Sequence, residues 1–589
     1  MKLPALPNSL SLSRLGTNEH TIMAVLAFAV GIGGGYGAIG FRHLIDFFQS
    51  IAYGSSESLL EVVKTLPWYL RILLPALGGM VVGPLVYFGA REAKGHGVPE
   101  VMEAVALRNG FIRKRVVVIK SLASAITIGT GGSVGREGPI VQIGSAIGST
   151  IGQLLHVSAD RMKILVGCGA AAGIAATFNA PIAGSMFALE IILGDFGLAT
   201  FSPIIISSVT ATAISRHYLG DFPAFLVPQH KMVSFWEFPF YLGLGLFCAV
   251  IAVIFIKVLY RTEDIFDELK FPEYLKAILG GAALGAMSLL FPHLLGVGYG
   301  AIDQALMGLS AWWVLLLLIP FKILATSITI GSGGSGGIFA PSLFLGAMAG
   351  SLFGMGVHTL FPELTATPGA YGLVGMAAVV GGTTHGPLTA ILIIFEMTGD
   401  YKIILPLMTT CIISTVAGRQ MMRESIYTLK LIRRGIDIRA GKEVNVLKSI
   451  PVKEVMNPNV ETLTESLTME QLADIVSKSK HNSFPVLDED GNLTGMLSYI
   501  DYRDAVFDEN LKDLVVVKEL ASSKVVTVTL DDNLFDALEK ISVRDFSLLP
   551  VVDSNNPKKL IGILTRRDII GAYTRAVVKK SLFIRPGEK

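Results

Sequence analysis

A chain of 589 residues, 51% of them hydrophobic and only 16% charged, with a mean hydropathy of +0.58, is too apolar for a soluble protein of this size. Its formal net charge of +2 offers no electrostatic footprint for nucleic acid. Its three cysteines, Cys168, Cys248 and Cys411, lie inside apolar runs and not at disulfide-like spacings.

In chain order, residues 1–19 read as a polar, Pro-containing N-terminal segment, expected on the cytoplasmic side. The apolar run beginning near Thr21 is too long for a signal h-region and is expected to be retained. Apolar stretches then recur near 21–52, 68–90, 116–156, 162–193, 199–219, 235–261, 274–296, 311–360 and 370–423, many interrupted by Gly or Pro. Some are too long and some too short for a single span of about 20 residues, which predicts tilted, paired and broken helices. The pattern changes near Tyr427, where the basic segment "KLIRRGIDIRAGK" leads into ordinary soluble composition. That segment, with the basic loop "RNGFIRKR" at 108–115 if it lies on the same side, favours a cytoplasmic C-terminal domain.

An internal repeat organises the apolar part. "ITIGTGGSVGREGPIVQIGSAIGS", from Ile126, aligns without gaps to "ITIGSGGSGGIFAPSLFLGAMAGS", from Ile328, with half of the positions identical. A second pair, "FNAPIAGSMFALEI" and "THGPLTAILIIFEM", sets Pro181 against Pro387 and Glu190 against Glu396. Duplicated units with Gly- and Pro-interrupted segments at matching places point to a transport site built from discontinuous helices. The alternative is that the glycines only let helices pack closely. Packing alone, however, requires neither the Arg136-Glu137 insertion nor prolines at equivalent places.

A Gly-rich stretch followed by an apolar helix presents unbonded backbone N–H groups at the positive end of the helix dipole, which is an anion cradle. In the first repeat the cradle is "GREGP", with Arg136, Glu137 and Gly138. In the second it is "GGIFAP", with Gly337, Ile338, Phe339 and Ala340, and Phe339 stands where Glu137 stands in the first. An ionised side chain at bilayer depth costs at least about 2.5–3.5 kcal/mol, so Glu137 is a functional hypothesis by default. A carboxylate able to occupy an anion site competes with the ion when ionised and leaves when protonated, which makes Glu137 a candidate gate.

With "GHGVPE" (95–100), "GREGP" (135–139), "GGIFAP" (336–341) and Tyr427 in "SIYTLKL", the chain resembles the CLC chloride channels and transporters over residues 20–435. The resemblance implies an all-α polytopic membrane domain with inverted-topology repeats and broken helices. It also implies a homodimer in the lipid bilayer, with one anion pathway per subunit and Glu137 as the external gate. A central chloride would be surrounded by the amides of Ile338 and Phe339 and the Tyr427 hydroxyl, with His96 and Gly97 of the first motif alongside. His96 replaces the family's usual serine. Either its ring bonds nearby backbone, or it faces the anion and substitutes for the lost hydroxyl donor. The internal proton-transfer glutamate of typical exchangers aligns with Ile191, which cannot relay a proton. Neighbouring Glu190 is a proton-path candidate, although its echo in Glu396 favours a structural role.

The tail carries its own duplication, "SFPVLDEDGNLTGMLSYID" (483–501) and "LLPVVDSNNPKKLIGILTRRD" (548–568), each reading as strand, turn, strand and helix start. It looks like a cytoplasmic α/β tandem CBS pair. After a 436–447 linker, the expected modules are 448–507 and 513–577, with a tail at 578–589. The resemblance implies ATP, ADP or AMP as a regulatory ligand, with no cofactor required. Ser498 and Thr565 near helix N-termini suit phosphate, and Asp501 and Asp568 suit ribose hydroxyls. The alternative is that both hydroxyls simply cap helices.

No cluster of acidic residues in the apolar segments suits a divalent cation, no H-E-x-x-H suits an intramembrane zinc protease, and no P-loop suits an ATP-driven pump. The expectation is a non-enzymatic chloride transporter in a bacterial inner (plasma) membrane, with both termini cytoplasmic. Proton-coupled Cl-/H+ exchange is preferred, and a passive voltage- or pH-gated channel is the alternative because of Ile191.

Overall fold

The apolar runs become helices wherever glycine and proline do not break them. The computed structural model describes residues 19–55, 59–221, 233–437, 447–448, 450–479, 481–506, 515–544 and 547–582. The first of its two units ends at Arg434. In order, the helices of its first half are α1 (Glu19–Tyr53), α2 (Leu59–Thr65), α3 (Trp68–Pro84), α4 (Val98–Leu107), α5 (Arg115–Gly129), α6 (Glu137–Leu154), α7 (Ala159–Phe178), α8 (Pro181–Phe187) and α9 (Leu198–Leu219). The second half follows as α10 (Phe238–Glu268), α11 (Lys276–Leu290), α12 (Tyr299–Leu306), α13 (Trp312–Gly331), α14 (Phe339–Leu360), α15 (Pro368–Thr384), α16 (Pro387–Thr398), α17 (Ile404–Met421) and α18 (Thr428–Arg433). Among the described residues, nine helical segments are long and apolar enough to cross a membrane, so this is a multi-pass integral membrane protein.

The long apolar runs break where the repeat predicts. The 116–156 run divides into α5 and α6, and 311–360 divides into α13 and α14. The equivalent breaks contain Gly131 and Gly333, at φ +99° and +110°, a backbone region that β-carbon-bearing residues avoid. A second matched break closes α7 at Asn179 and α15 at His385, both left-handed C-caps, before Pro181 and Pro387 open α8 and α16. Packing is matched as well: α6 lies on α7 as α14 lies on α15, while α1 packs on α7 and α9 as α10 packs on α15 and α17.

The second unit, from Gly435, holds two three-stranded sheets, β1-β2-β3 and β4-β5-β6 among the described residues. In the first, β2 (Ser483–Leu487) runs antiparallel to β3 (Leu493–Ser498) and parallel to β1 (Leu463–Thr464). In the second, β5 (Leu548–Val552) runs antiparallel to β6 (Leu560–Thr565) and parallel to β4 (Val528–Thr529). The registers correspond: Val486 pairs with Gly495 as Val551 pairs with Gly562, and an irregularity follows at the same place in each. Leu447, just ahead of the first module in sequence, and Val452, at its start, are buried in the second module's core with Val528, Leu534 and Leu549. The closing helix runs to Leu582, beyond the expected module end at residue 577. Residues 1–18 of the expected N-terminal segment and 438–446 of the expected linker lie outside the described residues.

Candidate anion site and its gate

The loops that open α4, α6 and α14 meet inside the membrane unit. Gly135 and Gly337 exchange backbone hydrogen bonds, Gly135 N to Gly337 O at 2.7 Å and Gly337 N to Gly135 O at 2.6 Å. Gly95 bonds the neighbouring strand of loop in the same way, donating to Gly334 O at 3.2 Å and accepting from Gly336 N at 3.3 Å. Such close approach needs glycine. A Cβ on Gly138 would lie 2.2 Å from His96 O, and one on Gly337 would lie 2.7 Å from Gly138 N. The result sets the N-termini of α6 and α14 side by side, with their positive dipole ends converging.

Glu137 is the first residue of α6 and is 1% exposed. Its Oε1 accepts a 2.8 Å hydrogen bond from Tyr299 Oη. Its Oε2 is buried without a hydrogen bond of normal geometry, and the backbone amides of Glu137 itself and of Ala340 also act on the carboxylate. A Cβ on Gly135 would lie 2.1 Å from that Oε2 and 3.1 Å from Ala340 N, so the carboxylate is wedged between the two repeats. Ile338, Phe339 and Ala340 are buried around it, with the Phe339 ring centroid 5.7 Å from that of Phe178. The Arg136 side chain lies beside Tyr299. Its guanidinium lies 5.4 Å from the Tyr299 ring centroid, in the wall of a cavity of about 210 Å³ that Arg42, Asp46 and His293 also line.

Beside this crossing sit His96 and Tyr427, each 1% exposed, with ring centroids 5.8 Å apart. His96 Nε2 is 3.5 Å from Tyr260 Oη, which donates to Ile426 O at 2.5 Å, and Nδ1 is buried without a partner. The ring therefore faces tyrosines, not nearby backbone, and of the two readings of His96 the backbone-bonded one is not the arrangement found. Gly97, at φ +84°, caps α4 directly behind it.

Two buried lysines that sequence reasoning passed over hold these loops. Lys120 Nζ donates to Ala93 O at 3.1 Å and Gly95 O at 2.7 Å. Lys322 Nζ donates to Leu294 O at 3.4 Å and Gly296 O at 3.3 Å. The signal was available, because both lysines precede the aligned Ile126 and Ile328 by six residues. Tyr299 was also missed. It occupies in "GVGYGA" (296–301) the place of Val98 in "GHGVPE".

Glu190 and Glu396 cap each other's repeat. Glu190 accepts from Leu388 N (3.1 Å), Thr389 N (2.8 Å) and Thr389 Oγ1 (2.7 Å) at the start of α16. Glu396 accepts from Ile182 N (3.0 Å) and Ala183 N (2.7 Å) at the start of α8. Both Glu190 oxygens are thus engaged in satisfying orphan helix donors, and Ile191 beside it is buried.

In the tail, Asp501 Oδ2 accepts from Ser498 N (2.8 Å) and Ser498 Oγ (2.5 Å). Asp568 Oδ2 accepts from Thr565 N (3.0 Å) and Thr565 Oγ1 (2.5 Å), and Asp568 N returns a 3.2 Å bond to Thr565 Oγ1. The four residues form two equivalent helix-start caps.

Duplicated broken helices meeting at a buried, glycine-lined crossing define a membrane transport protein of the repeat-built class. The chain belongs to the voltage gated chloride channel family, whose model matches residues 78–419, and CBS domains match 452–508 and 517–575. It is 37% identical over 419 residues to a ClcB-like chloride channel protein of Ralstonia nicotianae, covering 70% of this chain and 98% of the relative. It is 33% identical over 433 residues to the H(+)/Cl(-) exchange transporter ClcA of Citrobacter koseri, covering 71% of this chain and 90% of the relative. A solved slow cyanobacterial Cl-/H+ antiporter superposes with a TM-score of 0.64 at 28% identity, covering 71% of this chain and 99% of that one.

Proposed function

We propose that the protein transports chloride by proton-coupled Cl-/H+ exchange, with Glu137 as the gate. The observation that carries this reading is the Glu137 carboxylate between the N-termini of α6 and α14, beside the Ala340 amide, where an anion would be held by backbone donors. Oriented amides attract a halide without the tight binding that a full positive charge would impose. The amides of Gly138, Ile338, Phe339 and Ala340 form the cradle, His96 and Tyr427 close its inner side, and Arg136 attracts anions at the outer mouth. Passive conduction is the second reading. It is favoured by Ile191 at the place of the family's internal proton glutamate and by the engagement of both Glu190 oxygens as a cap.

The two are separated by measuring chloride and proton flux together in liposomes of the purified protein, with a chloride gradient, no proton gradient and controlled voltage. Protons moving uphill establish exchange and an inner route that bypasses Ile191. Chloride flux without protons establishes a channel.

The protein works as a homodimer in a bacterial inner membrane, with both termini cytoplasmic. Exposed Leu198 and Val209 on α9 and Leu405 and Ile412 on α17 suit a lipid or subunit contact. The CBS tail binds ATP, ADP or AMP as a regulator. The capping bonds of Asp568 use Oδ2, leaving Oδ1 for a ribose hydroxyl. Asp568→Ala should weaken nucleotide binding to the full chain about tenfold by calorimetry, the scale of a hydrogen bond to a charged group. Equal affinities would remove the ribose role.

A further inference from the structure

We propose that Tyr299 is the latch of the gate: a fixed phenol that holds the ionised Glu137 carboxylate in its closed position and sets the pH at which the gate is released. The inference rests on the gate reading above and adds the residue that tunes it. Tyr299 opens α12 directly after Gly298, whose φ is +91°. A Cβ there would meet the Phe344 ring at 2.9 Å, so the loop packs closely against that ring. Lys322 anchors the same loop through Leu294 O and Gly296 O, and its ammonium lies 4.8 Å from the Phe344 ring centroid. Arg136 covers the tyrosine ring from the other side. The Oη that reaches Glu137 Oε1 at 2.8 Å is thus presented by a backbone pinned in the second repeat to a carboxylate that opens the first.

The groups acting on Glu137 come from every element around it: Arg136 ahead of α6, Tyr299 on α12, the Ala340 amide on α14 and Tyr427 ahead of α18. Arg42 on α1 acts on Arg136 and Tyr299. Of these, Tyr299 supplies the side-chain hydrogen bond of normal geometry. A phenol bonded to a carboxylate forms a charge-assisted bond, roughly twice as strong as the bond it makes to the neutral acid. It therefore favours the closed, ionised gate over the protonated gate that leaves. Removing the hydroxyl should release the gate at a less acidic pH.

The test compares chloride flux against external pH for the full chain in liposomes, as parent, Tyr299→Phe, Glu137→Gln and the double variant. Phenylalanine keeps the ring against Arg136, so packing is preserved. Tyr299→Phe should move the midpoint about one unit to higher pH and raise flux nearly twofold at the parent's midpoint, and the substitution should change nothing in the Glu137→Gln background. An unshifted midpoint in Tyr299→Phe beside a flattened Glu137→Gln profile overturns the latch and leaves the gate standing. A Tyr299→Phe shift that persists in the double variant also overturns it, because the hydroxyl would then act on another group. A Glu137→Gln profile identical to the parent's removes the gate, and the latch with it.

Discussion

Glu137→Gln should yield a protein that still passes chloride, no longer responds to external pH and moves no protons with it. Glutamine keeps the length and the acceptor that meets Tyr299 Oη at 2.8 Å, so the side chain can occupy the same space. It cannot gain or lose a proton in the working range, however, and carries no charge to compete with chloride for the amides at the two helix ends. Two helix dipoles, each worth about 0.3–1 kcal/mol to an anion at a terminus, then act on chloride alone. Apparent chloride affinity should rise roughly tenfold, corresponding to ~1.4 kcal/mol. Proteoliposome flux across a pH series checks both parts. A pH profile identical to the parent's would sink the gate assignment whatever happened to the affinity.

Gly138→Ala should have the largest structural effect. The added methyl would lie 2.2 Å from His96 O and 3.0 Å from Gly337 Cα, and both obstacles are backbone. Overpacking that flexible side chains can absorb costs about 1–3 kcal/mol. Here the loops themselves must separate, breaking the Gly135–Gly337 exchange that aligns the two cradles. Loss of transport with a clear fall in thermal stability in detergent is expected. Gly356→Ala is the control: it lies exposed in α14 with nothing within 4 Å of the added carbon, and should be neutral or slightly stabilising, since alanine is the better helix former. Equal stability of the two variants would remove the close-approach argument.

Much of the site was legible because it is local. The dipeptide Arg136-Glu137 between glycines in an apolar run marks a carboxylate at odds with its surroundings without reference to any other segment. The alignment of Ile126–Ser149 with Ile328–Ser351 announces its symmetric partner. The tail modules were equally readable, because their strands, turns and helix starts recur in one order with one register. What local reading could not supply were contacts between distant segments. Tyr299 reaches Glu137 across 162 positions, and Glu190 reaches Thr389 across 199. Leu447 and Val452 belong to the core of the second module although they lie at the start of the first in sequence.

By itself, then, the sequence determined the membrane class, the duplication, the breaks between helices and the two glycine-rich cradles, since each depends on hydropathy, φ restrictions or repetition along the chain. Only the tertiary structure decided what those cradles face. The crossing of two repeats places a tyrosine of one half on the Glu137 carboxylate of the other, turns Glu190 and Glu396 into reciprocal caps and sets His96 against tyrosines. The physical reason is that an orphan helix donor or a buried carboxylate must find a partner in a medium without water, and which partner it finds depends on how the two halves interlock.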